Sequence, residues 1–453
     1  MHPVFHRMGT RTSPGMCQCF LVYVGVLLLG YALLGRGFAY LGMPPVYVGE
    51  IGLLLAAMVV CAHVLVSIWR SRLVWALVAF MVWGCLNTIP YIGSHGLNAL
   101  RDGVQWGYAL FALAVATALL QSGRLARVPG RYSRFARLFL VVVVPSYLVH
   151  MLARETLPRL PWGPEAVGGL ALLSPKPGDI AVHLAGIAVF MTLGLSKKRL
   201  LGWTWLLIWV AAAALVAAVS RAALLTLALP LLTLILFRPM GRWLRMFVVI
   251  LAGISVMAVF DVRIDLGREA RPVSIDGFLS GIGSIVGDTG HSQLQGSKEW
   301  RLLWWNTIID YTVFGEHFWT GKGFGVNLAT ADGFQVTSDN SLRSPHNGHL
   351  TLLARTGVPG LALWALLQGA FAWSLLTAYR SDRRARRDER ADISLWIFLY
   401  WLAFLINASF DVYLEGPQGG IWFWSVFGLG IAHMLRRKVP PVHRKPTASE
   451  SFP

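Results

Sequence analysis

Residues 203–237 read WTWLLIWVAAAALVAAVSRAALLTLALPLLTLILF, two apolar runs with one charged residue, Arg221, between them. A helix of roughly 17–25 apolar residues crosses a hydrocarbon core of about 30 Å, and each run is close to that length. Neither run has a polar face, so lipid or other helices must surround both. Outward from this stretch the pattern repeats. Spans are expected near 18–36, 47–69, 73–92, 105–121, 135–153, 179–195, 200–219, 222–237, 243–260, 347–378, 393–410 and 419–435. The fold class is therefore all-α, a polytopic membrane helix bundle of about twelve transmembrane helices with one large extracytoplasmic loop.

Composition agrees. The 453 residues are 55% hydrophobic and 14% charged, where a soluble domain carries roughly 25% charged residues. The net charge of +18 does not indicate nucleic acid, because the basic residues fall in short blocks between apolar spans. With the N-terminus placed inside, the inner segments hold 26 of the 40 Lys and Arg residues, including Arg124, Arg127, Arg131, Arg134 and Arg137 in one loop and the run RSDRRARRDER in another. That is the distribution of the positive-inside rule. Both termini are then cytoplasmic and the protein is multi-pass. The run from Phe20 to Leu34 is followed by no small-residue cleavage site, so it reads as an uncleaved first span. Cys17, Cys19, Cys61 and Cys85 all lie in or beside spans and read as small packing residues.

The domain organisation follows: spans one to nine over 1–260, an extracytoplasmic loop over 261–345, spans ten to twelve over 346–438 and a disordered cytoplasmic tail over 439–453. The loop holds seven Lys and Arg against ten Asp and Glu, unlike the basic inner segments. A loop of that length in a compact protein is usually functional. A helix is expected in it from about Lys298 to Tyr311, with Trp300, Trp304 and Trp305 against the membrane surface or the mouth of the bundle. The loop reads as a small cap with too little apolar sequence for a core of its own.

Three residues draw attention on physical grounds. Arg221 sits at a membrane boundary, where an arginine is costly unless it meets a polar cavity or an anion; the plainer reading is a snorkelling interfacial side chain. Arg301, on the loop helix, points either into a cavity or to a salt bridge with Glu299 or Asp310. His346 follows Ser344 and Pro345, which read as an N-cap and a first-turn proline, placing it in the first turn of a span. The positive end of a helix disfavours imidazolium, and a neutral imidazole can act as a general base. His349, three residues on, permits a metal pair in principle, but no third ligand is suggested, and no metal is assigned. Lesser candidates are Arg101 with Asp102, which most simply pair with each other, Lys322 between two glycines, and Asp411 and Glu415, read as loop solvation. His63 and His150 have no evident partners in the sequence.

The stretch His346-Asn347, nine residues and then Gly357-Val358-Pro359-Gly360 resembles the signature of the bacterial O-antigen ligase and polymerase superfamily, a histidine with a small polar residue ahead of a Gly-x-x-Gly pair. Ser220-Arg221-Ala222 resembles its arginine motif, and Trp300-Arg301 with Gly321-Lys322-Gly323 its loop motif. The motifs span about 200–360, and the topology extends the resemblance to the whole chain. The resemblance implies a glycosyltransferase that moves a glycan from undecaprenyl diphosphate to an acceptor hydroxyl at the outer face of the bacterial inner membrane. Arg221, Arg301 and His346 would be its essential residues, and no cofactor would be needed; the substrate-binding set is read as Arg221, Arg301, Asn347 and Lys322 of these motifs with Arg101, which its place on the outer side alone suggests. Arginines suit phosphate oxygens. The single large loop beside the histidine favours a ligase using lipid A–core as acceptor. A polymerase extending an O-antigen or exopolysaccharide chain, a protein O-oligosaccharyltransferase and a polysaccharide transporter are the alternatives. Against transport, the sequence shows no inverted repeat and no paired Gly- or Pro-broken spans.

Overall fold

The structure, a computed structural model, describes residues 14–63, 66–153, 155–161, 169–196, 202–238, 244, 248 and 292–437. The expected span at 243–260 (apart from residues 244 and 248), the first part of the loop and the tail at 439–453 lie outside the described residues. The first half of the chain supplies α1 (Pro14–Leu34), α2 (Arg36–Ala39), α3 (Val48–Ala62), α4 (Val66–Trp69), α5 (Arg72–Leu86), α6 (Ile89–His95), α7 (Leu97–Gly107), α8 (Leu110–Gln121) and α9 (Val128–Leu152). The second supplies α10 (Pro177–Thr192), α11 (Trp203–Val219), α12 (Arg221–Phe237), α13 (Ser292–Val313), α14 (Leu328–Ala331), α15 (Gly348–Arg384), α16 (Asp388–Ala408) and α17 (Pro417–Arg437). Two short antiparallel hairpins, at 42–47 and 159–171, are the sheet content of the described residues. The helix expected at Lys298–Tyr311 lies within α13.

This is an all-α integral membrane protein. Among the described residues five helical stretches are long and apolar enough to cross a membrane: Gly15–Leu34, Arg72–His95, Arg124–Leu152, Gly348–Arg384 and Asp388–Ala408. The pair α7 and α8, bent by 45°, is a sixth. Eleven of the twelve expected spans coincide with helices, but α3, α10, α11 and α12 are apolar helices of only 15–17 residues. At 1.5 Å per residue these reach about 22–26 Å, short of a 30 Å core.

The helices run antiparallel around α16, whose most apolar window is 72% buried. Arg238, just past the C-terminus of α12, pairs with Asp392 near the start of α16. Arg221 opens α12 at its other end, the end of α16 that leads into Phe410 and Asp411. The bundle therefore has a basic end and a site end, separated by the length of a helix. Between them lies an aromatic core in which Tyr132 packs 4.6 Å from Trp396 and His183 packs 4.7 Å from Trp422, centroid to centroid.

Two features differ from the sequence reading. First, the chain does contain broken helices: α7 and α8 meet at their bend, and α15 is interrupted at Gly357, where φ is 67° and ψ is −173°. Glycine adopts this left-handed conformation at little cost, and Pro359 brings no N–H to the following turn. The carbonyls exposed by the break find partners elsewhere. Lys322 N donates to Ala354 O at 2.7 Å, Gly323 N to Arg355 O at 3.1 Å and Trp83 Nε1 to Thr356 O at 3.1 Å. Val358 N donates instead to Phe318 O at 2.8 Å. Second, Trp304 lies in a small core that the loop shares with α15. Trp304, Ile308, Leu328 and Ala329 are fully buried with Leu353 and Ala354 of α15, so Trp304 faces inward and not the membrane.

Candidate active site

Each candidate residue has a local reason for its position, and the first is capping. Ser220 is the N-cap of α12; its hydroxyl accepts from Ala223 N at 3.3 Å and leaves Arg221 as the first helical residue, at the site end. On α13, Arg301 donates from Nη1 to Phe410 O at 3.4 Å, at the C-terminus of α16. Among the described residues it pairs with neither Glu299 nor Asp310. Partial burial draws the Arg301 pKa down; the Asp411 carboxylate opposes that shift, and the Arg221 guanidinium adds to it. Arg301 thus lies within electrostatic reach of both, which brings α12, α13 and the α16–α17 connection together.

His346 differs from its expected place. The N-cap of α15 is Asn347, not Ser344: its side-chain oxygen accepts from His349 N at 3.0 Å and Leu350 N at 3.2 Å. The helix begins at Gly348, so His346 lies ahead of the cap, in a left-handed conformation with φ 54°. Asparagine outcompetes serine here because its carboxamide reaches both exposed N–H groups of the first turn. The side chain of His346 is 33% exposed, and Nδ1 lies 3.8 Å from Asp411 Oδ1, a contact rather than a hydrogen bond at that length.

Asp411 is the residue that the sequence reading undervalued. Lys176 Nζ donates to its two carboxylate oxygens at 3.0 and 2.9 Å, and Val412 N donates to Oδ1 at 2.8 Å. Burial alone would push the carboxyl up. The Lys176 charge, the neighbouring His346 and the Val412 amide outweigh it and hold Asp411 well below the usual carboxylate range. Among the described residues the corner thus brings Arg301 and Lys176 to Asp411, with Arg221 within electrostatic reach and His346 at its edge. Guanidinium groups beside a partly exposed imidazole suit a polyanionic ligand and a proton transfer next to it.

The other candidates fall elsewhere. Lys322 Nζ is 2.5 Å from Asp332 Oδ1, and it lies 4.1 Å from the Tyr311 ring centroid. Asp332 has a fully buried side chain and also accepts from Trp304 Nε1 at 2.7 Å. Arg101 and Asp102 do meet, at 3.6 Å, but Asp102 also takes Arg343 at 2.7 Å and Arg355 at 3.0 Å, while the Arg101 side chain is 54% exposed. His349 is engaged at both ring nitrogens, by Leu405 O at 3.2 Å and Trp364 Nε1 at 3.1 Å. His150 Nδ1 lies 2.8 Å from Leu173 O. Glu415, between α16 and α17, is pushed up to about 7 by burial, against the opposing pull of Arg355. Among the described residues no three His, Cys, Asp or Glu side chains gather as metal ligands would.

Residues 206–365 match the family described as O-Antigen ligase. The matched segment contains Arg221, Arg301, His346 and the Gly357–Gly360 pair, and it bears out the resemblance to the O-antigen ligase and polymerase superfamily. A glycosyltransferase activity of that general type is supported. No curated protein matches the chain in sequence.

Proposed function

We propose that the protein transfers a glycan from undecaprenyl diphosphate to a hydroxyl of lipid A–core at the outer face of the bacterial inner membrane. The observation that carries this reading is Arg301 bonded to Phe410 O and His346 beside the Lys176–Asp411 pair, at the end of the bundle where Arg221 opens α12. In this reading about twelve spans leave both termini cytoplasmic, and the segment 261–345 caps the outer end. The guanidinium groups of Arg221 and Arg301 bind the diphosphate, and as the anomeric C–O bond breaks they hold the charge that gathers on the leaving oxygen. His346 takes the proton of the acceptor hydroxyl as its oxygen attacks the anomeric carbon, and Asp411 steadies the imidazolium that results. Undecaprenyl diphosphate departs with the electron pair of the broken bond. No step draws on a metal ion or a nucleotide.

The test is a reconstituted transfer reaction with undecaprenyl-diphosphate-linked glycan, with and without lipid A–core, for the unaltered protein, His346→Ala and Arg301→Ala. Transfer to lipid A–core, lost in both variants, is expected. Lengthening of the lipid-linked chain without core would instead identify a polymerase. Transfer by His346→Ala at the unaltered rate would overturn the assignment of the base.

A further inference from the structure

The geometry points to α7 as the element that fixes His346, through two side chains one turn apart that grip the chain on either side of it. This rests on the reading of His346 as the proton acceptor, and it makes Asp102 and Gln105 positioning residues.

A non-glycine residue at φ 54° is held in a sparsely populated region, and such a conformation persists only where its surroundings over-determine it. Before His346, Arg343 Nη2 donates to Asp102 Oδ2 at 2.7 Å and to Gly325 O at 2.9 Å. The same Asp102 oxygen is fixed from two further directions, by Arg355 Nη2 at 3.0 Å and by Gly325 N at 3.2 Å. After His346, Gln105 Nε2 donates to Gly348 O at 3.1 Å. Asp102 and Gln105 are three residues apart on a helix and so share a face. Both are well buried, Gln105 at 8% exposure and the Asp102 side chain at 10%. Trp305 Nε1 adds a third hold, on Pro345 O at 2.9 Å. Arg221 and Arg301, by contrast, stand on α12 and α13, which α7 does not grip through these bonds. The prediction is therefore selective: loosening α7 displaces the base and leaves the anion clamp in place.

Gln105→Leu removes the donor to Gly348 while keeping an apolar side chain of similar size. It should lower kcat about tenfold, since displacements of about 1 Å at a reacting group cost up to about a hundredfold, with KM for the lipid-linked donor within about twofold. Asp102→Asn should lower kcat further. In a His346→Ala background, Gln105→Leu should change the residual rate less than about twofold. Backbone amides of residues 343–350 should exchange with deuterium faster in Gln105→Leu, and those of α16 should not. The inference is overturned if Gln105→Leu leaves kcat intact, or if its full loss persists without His346. Should Asp102→Asn fail to fold, Gln105→Leu alone decides. Should the unaltered protein transfer no glycan, the transfer reading fails by itself, and unchanged exchange at 343–350 would separately overturn the positioning claim.

Discussion

Two regions of the molecule hold residues of the segment matched by the O-antigen ligase family and treat them in opposite ways. In the corner around Asp411, Arg301 and His346 are loosely held among the described residues. Arg301 makes one long bond to a carbonyl at 3.4 Å, and His346 stands one-third exposed at 3.8 Å from its carboxylate. At the joint where the loop meets the break in α15, bonding is nearly complete. Lys322 is committed to a buried Asp332 that Trp304 also holds, Arg355 is 2% exposed, and the backbone of Gly321–Gly323 closes the broken helix. Spacing in the sequence does not tell the two kinds of residue apart, but the number of partners already engaged does. Polar groups left incompletely satisfied at a mouth can bind and react; those saturated in an interior hold shape.

The sharpest way to break this contrast is His346→Ala. Loss of a general base should lower kcat by about 10²–10⁴-fold, and the melting temperature should hardly move because the side chain makes no short bond. A variant that unfolded instead would place His346 with the joint.

Lys322→Met should do the reverse. It leaves a carboxylate of zero exposure without its cation, which costs about 3 kcal/mol or more, while donor KM in the surviving folded protein stays within about twofold. A large rise in KM would return Lys322 to the substrate, where the sequence placed it. Gly357→Ala follows at about 2 kcal/mol, since an added Cβ would meet Phe318 O at 2.3 Å in a left-handed backbone; denaturant midpoints would show it.

The smallest effect is expected at Glu415, which sits between the two regions. Its carboxyl is raised from 4.5 to about 7 by burial, so the folded state favours the neutral form. The stabilisation from that form is complete below the unfolded value and is lost as pH rises through about 7. Glu415→Gln should leave thermal stability unchanged near pH 4 and raise it by about 1–2 kcal/mol at pH 8. No gain at pH 8 would mean that the charged form is accommodated there.

Much of the fold was legible because apolar runs declare themselves: α1, α9, α15 and α16 all lie where the runs predicted. The breaks were less legible. Gly357 and Pro359 are visible in the sequence, yet whether they end a helix or bend it depends on Phe318, Lys322 and Trp83 supplying partners from far away in the chain. His346 was recognisable from its motif, but its conformation was not, since Ser344 and Asn347 are both good caps and only the packing chooses between them. Asp411, with Glu415, reads as loop solvation in the sequence because nothing local connects it to Lys176. The antiparallel packing of α10 against α16 brings them together at one end of the bundle. A charged residue in a connecting loop carries no mark of the partner that tertiary structure will give it.

The central claim is that the arginines bind the diphosphate while His346 does chemistry, and donor binding measured apart from turnover tests it most directly. Undecaprenyl diphosphate would be titrated into the unaltered protein, His346→Ala and an Arg221→Ala/Arg301→Ala double variant, each also assayed for a single turnover with bound donor. The account predicts that His346→Ala binds as the unaltered protein does and fails to turn over, and that the double variant binds at least about tenfold more weakly. Normal binding by the arginine variant, or lost binding by His346→Ala, would contradict it.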